Sequence, residues 1–181
     1  MSEKSENNFD EIIVDEQITL RSVPVSSAGE LFNLTEENRE YFGEWLPWVE
    51  NTKTVDDSKK FLESSIIKNE EGKTYAYGIY INNCLAGHIA LMNIRETDKL
   101  PDIGYWISKQ FSSAGIVTRC VKKLTLFSLK NLGINTITIH AEPTNIASNK
   151  VAEKSGYKLL NRKDVIDNKI FNVWGISSDD I

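Results

Sequence analysis

The chain has 181 residues, 40% of them hydrophobic and 26% charged, with a formal net charge of -5. That length fits one domain with a buried core. The acidic balance argues against a general nucleic-acid binder, whose surface must replace phosphate counterions.

Residues 1 to about 11 are expected to be a disordered tail, and 12–181 a single domain. The polar start, Met1 to Asn8, resembles neither a signal peptide nor a membrane anchor. No apolar run approaches the ~20 residues that span a bilayer. A cytoplasmic protein without a membrane partner is the expectation. Ile18, Leu20 and Val23 sit in a short strand pattern. Ser26 and Ser27 precede Leu31, Phe32 and Leu34, which suggests a capped helix. Tyr41 to Val49 is rich in aromatics around Pro47 and reads as an irregular segment or short helical turn. Thr54 is placed to cap a helix through Phe61, Leu62, Ile66 and Ile67, with Asp56 and Asp57 at its positive end.

Three strands should follow. Tyr75 to Ile81 and Cys84 to Met92 flank Asn82-Asn83, a dipeptide that tolerates positive φ. Asp102 to Ile107 is the third. From about Ile116 to Leu132, Val117, Cys120, Val121, Leu124 and Phe127 share one helical face, and Gly133 ends the helix. Ile134 to Ile139 is β-branched and reads as a strand. Asn145 to Ser155 is a helix closed by Gly156. Tyr157 to Val165 and Phe171 to Ile176 make a hairpin through Asp167-Asn168. The order β-α-α-β-β-β-α-β-α-β-β implies an α/β fold, a mixed sheet with helices on both faces. Cys84 and Cys120 lie in apolar runs without metal-ligand spacing and are expected to be buried free thiols in a reducing compartment.

Gln110 to Gly115 joins a strand directly to a helix. A helix start offers unpaired N–H groups and a positive dipole end, so an anion is welcome there. A plain connector has the same composition. Charge adds weight to the anion: no acid occurs between Asp102 and Glu142, whereas Lys109, Arg119, Lys122, Lys123 and Lys130 do. His88 and His140 each alternate with apolar neighbours, which fits structural histidines better than titrating ones. No His, Cys and Asp cluster has metal spacing, so no metal is expected.

Taken together, these segments resemble the GNAT acetyltransferase superfamily, most closely its Rim-type branch, which acetylates N-terminal amines of ribosomal proteins or similar amines. The residues that carry the resemblance are Asn38 to Val49, Asp102-Ile103-Gly104-Tyr105-Trp106-Ile107, Gly115-Ile116-Val117-Thr118, and Asn145-Ile146-Ala147-Ser148 followed by Glu153-Lys154-Ser155-Gly156-Tyr157. They span about residues 15 to 178. The family's pyrophosphate loop usually carries Gln or Arg where Ser112 stands, and Gly-Lys where Ser113 and Ala114 stand. Val117 replaces a final Gly or Ala, and only Gly115 is kept.

The resemblance implies a single, centrally splayed sheet. It implies acetyl-coenzyme A as cosubstrate, in a cleft between the strand ending at Ile107 and the strand Ile134 to His140. The N–H groups of Ser113, Ala114, Gly115, Ile116 and Val117 would meet the pyrophosphate, with Lys109 and Arg119 adding charge. Asn145 would reach the pantetheine arm, besides capping its helix. Ser148 would contact the departing thiolate, a task that falls in many relatives to a tyrosine at the position of Ala152. Asp102, where the family often carries Glu, is the first candidate base, and Glu142 the second. By the same analogy, Tyr41, Trp45, Trp48 and Trp106 line the acceptor site, although each also suits core packing. Direct attack by the amine is expected, with no acyl-enzyme. The acceptor is expected to be a peptide or ribosomal-protein N-terminus. A small amine, such as a polyamine or aminoglycoside, is the second reading, and a GNAT-fold binding protein the third. A homodimer is one assembly the sequence allows.

Overall fold

The computed structural model describes residues 10–181. Among them are strands β1 (Glu11–Ile13), β2 (Ile18–Arg21), β3 (Tyr75–Ile81), β4 (Cys84–Met92), β5 (Asp102–Ile107), β6 (Thr136–Ala141), β7 (Lys158–Ile166) and β8 (Lys169–Ser177). The helices are α1 (Ala28–Glu37), α2 (Arg39–Gly43), α3 (Val55–Glu70), α4 (Ile116–Asn131) and α5 (Ile146–Lys154). The strands form one sheet in the order β1-β2-β3-β4-β5-β6-β8-β7. Every neighbouring pair is antiparallel except β5 with β6.

Local chemistry fixes most of these boundaries. Asn82 and Asn83 take φ of 48 and 67, and Asp167 and Asn168 take 48 and 62. Two consecutive left-handed residues turn a hairpin with the twist that its strands already have. The Thr54 side chain accepts from the Asp57 backbone, and Asp57 bonds back to the Thr54 N–H at 2.9 Å, so α3 starts in a reciprocal capping box.

Apolar residues cover both faces of the sheet. On one face, Cys120, Val121 and Leu124 of α4 pack on Ile89, Leu91, Ile103, Ile137 and Ile139. On the other, Leu31 and Leu34 of α1 and Leu62 of α3 pack on Tyr80 and Leu85, with Trp106 against them. Burial of each such side chain contributes about 1.5–3 kcal/mol.

Several expectations are corrected here. Residues 1–9 of the expected tail lie outside the described residues, and Glu11 already belongs to a strand. That strand is three residues long with one buried side chain, too short for alternation to reveal it. Cys84 is exposed, because it opens β4 directly after the Asn82-Asn83 turn. Cys120 is buried, and burial pushes its thiol up to about 12. Ser27 occupies the N-cap position of α1 without a side-chain cap bond; its N–H instead closes a 3-10 turn on the Pro24 carbonyl at 2.9 Å. The strand expected from Ile134 begins at Thr136.

The central feature is the seam between β5 and β6. They share one ladder pair, Asp102 with Thr138, backed by the Thr138 N–H on the Pro101 carbonyl at 2.8 Å. Beyond that point their backbones no longer pair. On the other flank of β5, pairing with β4 runs to the end of β5, where Gly87 meets Ile107. A Cβ at Gly87 would stand 2.3 Å from the Trp106 carbonyl oxygen, so only glycine lets β4 approach so closely.

Candidate active site

The seam opens into a cleft of about 580 Å³. Its walls are the end of β5, the loop before α4, the first turn of α4, the inner face of α5 and the segment from Tyr41 to Leu46. Ile107, Ser113, Gly115, Ile116, Val117 and Asn145 line it, whereas Ala114, Lys109 and Arg119 do not.

The loop is held by its own bonds. Residues Lys109–Phe111 form a 3-10 turn. The Ser112 Oγ donates to the Lys109 carbonyl at 2.7 Å. The Lys109 N–H donates to Asn38 Oδ1 at 2.9 Å, which ties the loop to the end of α1. Ser113 and Gly115 both have positive φ, 63 and 72. Gly115 is the N-cap of α4 and brings no side chain, so the leading N–H groups of α4 face the cleft without a side-chain cap. Arg119 pairs with Asp15 at 2.5 Å, drawn away by the β1–β2 turn. The basic residues that do line the cleft are Lys150 and Lys154, one turn apart on α5. The long acid-free stretch of sequence points instead to α4. Lys150 and Lys154 stand outside it, next to acidic Glu153, and spacing along α5 was the signal that could have found them.

At the head of α5, Asn145 Oδ1 accepts the Ser148 N–H at 3.0 Å. Ser148 lines the cleft, and its Oγ lies 3.0 Å from the Tyr105 hydroxyl. That hydroxyl also donates to the Ser148 carbonyl at 3.1 Å. Burial pushes the Tyr105 phenol up to about 12, so it stays protonated at neutral pH. Asn149, which no sequence motif marks, locks this turn in place. Its Nδ2 donates to the Glu142 and Asn145 carbonyls at 2.9 and 2.8 Å. Its Oδ1 accepts from Asn172 and Trp174, both at 3.0 Å.

Asp102 and Glu142 are not among the lining residues. Asp102 stands at the closed end of the seam, where its Oδ1 accepts from Thr138 Oγ1 at 2.9 Å and lies 2.7 Å from His140 Nδ1. The other ring nitrogen of His140 lies 2.9 Å from Asp164 Oδ2. His140 is therefore no inert strand residue. The Asp102 hydrogen bond holds its pKa above the ordinary imidazole value, opposed by burial and aided by Asp164. Thr138 and His140 alternate with Ile137 and Ile139, so they face away from α4. Glu142 pairs with Lys169 at 2.7 Å.

Tyr41, Trp45 and Trp106 line the cleft; Trp48, expected with them, does not, and is exposed. Trp106 is the hub: its ring centroid lies 5.0 Å from that of Phe42, 5.7 Å from Trp48 and 6.0 Å from His88. Arg39 donates to the Val49 carbonyl at 2.6 Å and so fastens the aromatic segment to α1 and α2. Phe42 is buried, Trp106 is half-buried against the core, and Tyr41 is 36% exposed, so one group serves as both core and wall.

A cleft at splayed parallel strands, with a helix start for an anion and a serine on a second helix, can be compared with known proteins. The model of the Acetyltransferase (GNAT) domain matches residues 17–158. YdaF of Bacillus subtilis (strain 168), provisionally named a ribosomal N-acetyltransferase, is 31% identical over 80% of this chain and 79% of its own. The ribosomal-protein-serine acetyltransferase of Escherichia coli (strain K12) is 23% identical over 82% of this chain and 83% of its own. Among solved structures, the microcin C7 self-immunity acetyltransferase MccE, in complex with acetyl-CoA and AMP, superposes with a TM-score of 0.84 at 26% identity, covering 93% of this chain and 96% of that one. RimL, the ribosomal L7/L12 α-N-protein acetyltransferase, in complex with coenzyme A, reaches 0.86 at 22% identity, covering 94% and 99%. The chain belongs to the GNAT acetyltransferase family, acyltransferases whose acyl donor is acetyl-coenzyme A.

Proposed function

We propose that this enzyme acetylates the α-amine at the N-terminus of a protein or peptide, a ribosomal protein being the first candidate. The carrying observation is the arrangement at the open seam, where Ser148, Asn145 and Tyr105 converge at one end of a cleft whose outer wall is Tyr41, Trp45 and Trp106. The names of YdaF, the E. coli relative and RimL support the acceptor class.

The cleft fits acetyl-coenzyme A chemically. The free N–H groups of Ile116, Val117 and Thr118 suit a pyrophosphate. Lys150 and Lys154 supply positive charge that the altered loop lacks. Backbone groups of β5 left unpaired near Ile107 suit the pantetheine amides, and Asn145 adds a side-chain amide. The bound thioester supplies an activated acyl carbon and a sulfur leaving group.

Ser148 is placed to hydrogen-bond the sulfur as it leaves with the C–S electron pair. The amine attacks directly, with no acyl-enzyme. For the amine proton, Asp102 is the first candidate, acting within the Asp102, His140 and Asp164 array rather than alone, and Glu142 is the second. The work is done in the cytoplasm, where ribosomal proteins are made. A panel of peptide N-termini, polyamines and aminoglycosides, assayed for free thiol from acetyl-CoA, tests the proposal. Peptides should be acetylated at the α-amine; turnover confined to polyamines or aminoglycosides would replace this reading with the small-amine one.

A further inference from the structure

Tyr105 occupies a place that the motif alone does not explain. Its side chain packs against the core under α4 and α5, yet its hydroxyl reaches two polar atoms of one residue, Ser148 Oγ at 3.0 Å and Ser148 O at 3.1 Å. A phenol has one proton to give, and a carbonyl can only accept. Two arrangements therefore satisfy the same heavy-atom positions. In the first, Tyr105 donates to the Ser148 carbonyl and accepts from the Ser148 hydroxyl, whose proton then points away from the cleft. In the second, Tyr105 donates to Ser148 Oγ, and the Ser148 proton is free to point into the cleft.

We propose that Tyr105 is a positioning residue that aims the Ser148 hydroxyl at the leaving sulfur by switching between these two arrangements. This inference rests on the reading above that Ser148 contacts the departing thiolate. A neutral thioester sulfur is a weak acceptor, so the first arrangement suits the resting state. As the sulfur takes the C–S electron pair it becomes an anion, and a donor chain from Tyr105 through Ser148 to sulfur is favoured. The stabilisation is thus made where charge develops and is absent from the ground state, the condition for raising kcat rather than tightening binding. No proton leaves Tyr105. Its phenol, near 12, is a weaker acid than a thiol near ~8.5, so transfer to sulfur would run uphill. The thiolate takes its proton from solvent after release, and the amine proton leaves by the base. The tyrosine that many relatives carry on the equivalent of α5, absent here because that position is Ala152, is replaced in this chain by a tyrosine from β5 acting through a serine.

The test compares Tyr105→Phe, Ser148→Ala and the double variant. Tyr105→Phe should lower kcat about tenfold, the worth of one hydrogen bond, while KM and the calorimetric Kd for acetyl-CoA stay unchanged and the melting temperature falls by no more than about 2–4 °C. In the Ser148→Ala background it should have no further effect, because nothing remains to be aimed. A second readout needs no turnover: the thiol pKa of bound coenzyme A, followed by thiolate absorbance in the ultraviolet, should rise in Tyr105→Phe. Loss of kcat in Ser148→Ala with none in Tyr105→Phe, and an unmoved thiol pKa, would overturn the role of Tyr105 alone. Unchanged kcat in Ser148→Ala would remove the reading of Ser148 and the inference with it. Independent, multiplying losses would also overturn it, since Tyr105 would then act by another route.

Discussion

Two histidines carry opposite electrostatic signatures, and each sets a measurable pH dependence. His88 is buried between the Phe61 edge and the Trp106 face, and burial pushes its pKa down to about 4. The unfolded chain binds the proton near the ordinary value and the folded chain does not, so stability is full above about 6.5 and is lost as pH falls toward 4. Denaturant unfolding should find His88→Leu free of a loss of about 3 kcal/mol that the parent suffers between pH 7 and pH 4. His140 has the reverse sign. Its raised pKa gives stability that is full below the ordinary imidazole value and fades as pH rises through the folded value. The Asp102 carboxylate that holds His140 is also the first candidate base. Asp102→Asn should therefore lower kcat and erase the acidic limb of the pH–rate profile. A limb that survives would move the base to Glu142 or Asp164.

In the proposed site, the loop before α4 and helix α5 divide the binding of the pyrophosphate between elements. In the loop, Ser113 holds a φ of 63, where a side chain costs about 1–2 kcal/mol, and Ser112 spends its hydroxyl on the Lys109 carbonyl. Ser113→Gly with Ser112→Gln should relieve the strain and add a long donor, tightening acetyl-CoA by about tenfold in calorimetry. On α5, Lys150→Gln with Lys154→Gln should weaken acetyl-CoA by about tenfold at low salt, and the difference should shrink as salt rises. Unchanged affinity would mean that these lysines are merely solvated. Elements set by local chemistry were legible in sequence: the two Asn or Asp turns, the N-cap at Thr54, and strands β3, β4 and β5 to the residue. Elements and contacts set by distant partners were not. β1 exists because β2 offers it an edge, and Arg119 is turned from the cleft by Asp15 on a turn more than a hundred residues earlier.

For the whole molecule, the order of elements and the motifs at Asp102 to Ile107 and Asn145 to Tyr157 were enough to reach the fold, because each motif marks a strand end or helix start that the splayed sheet requires. The site was legible only in part. Asn145, Ser148 and the start of α4 follow from cap and motif chemistry, which is local. The array Asp102, His140 and Asp164 joins three strands, and the pair Tyr105 with Ser148 joins a strand to a helix, so neither has a signature in any one stretch of chain. What unites these parts is one claim, that the seam between β5 and β6 holds acetyl-CoA while an N-terminal amine meets it at Ser148. Free thiol released from acetyl-CoA by the purified enzyme, with and without peptides bearing ribosomal-protein N-termini, measures that claim most directly. The predicted result is thiol release that requires peptide, matches acetylated α-amine one for one, and stops when the N-terminus is blocked. Acetyl-CoA that binds but yields no thiol with any peptide, polyamine or aminoglycoside would contradict it and leave a GNAT fold used for binding alone.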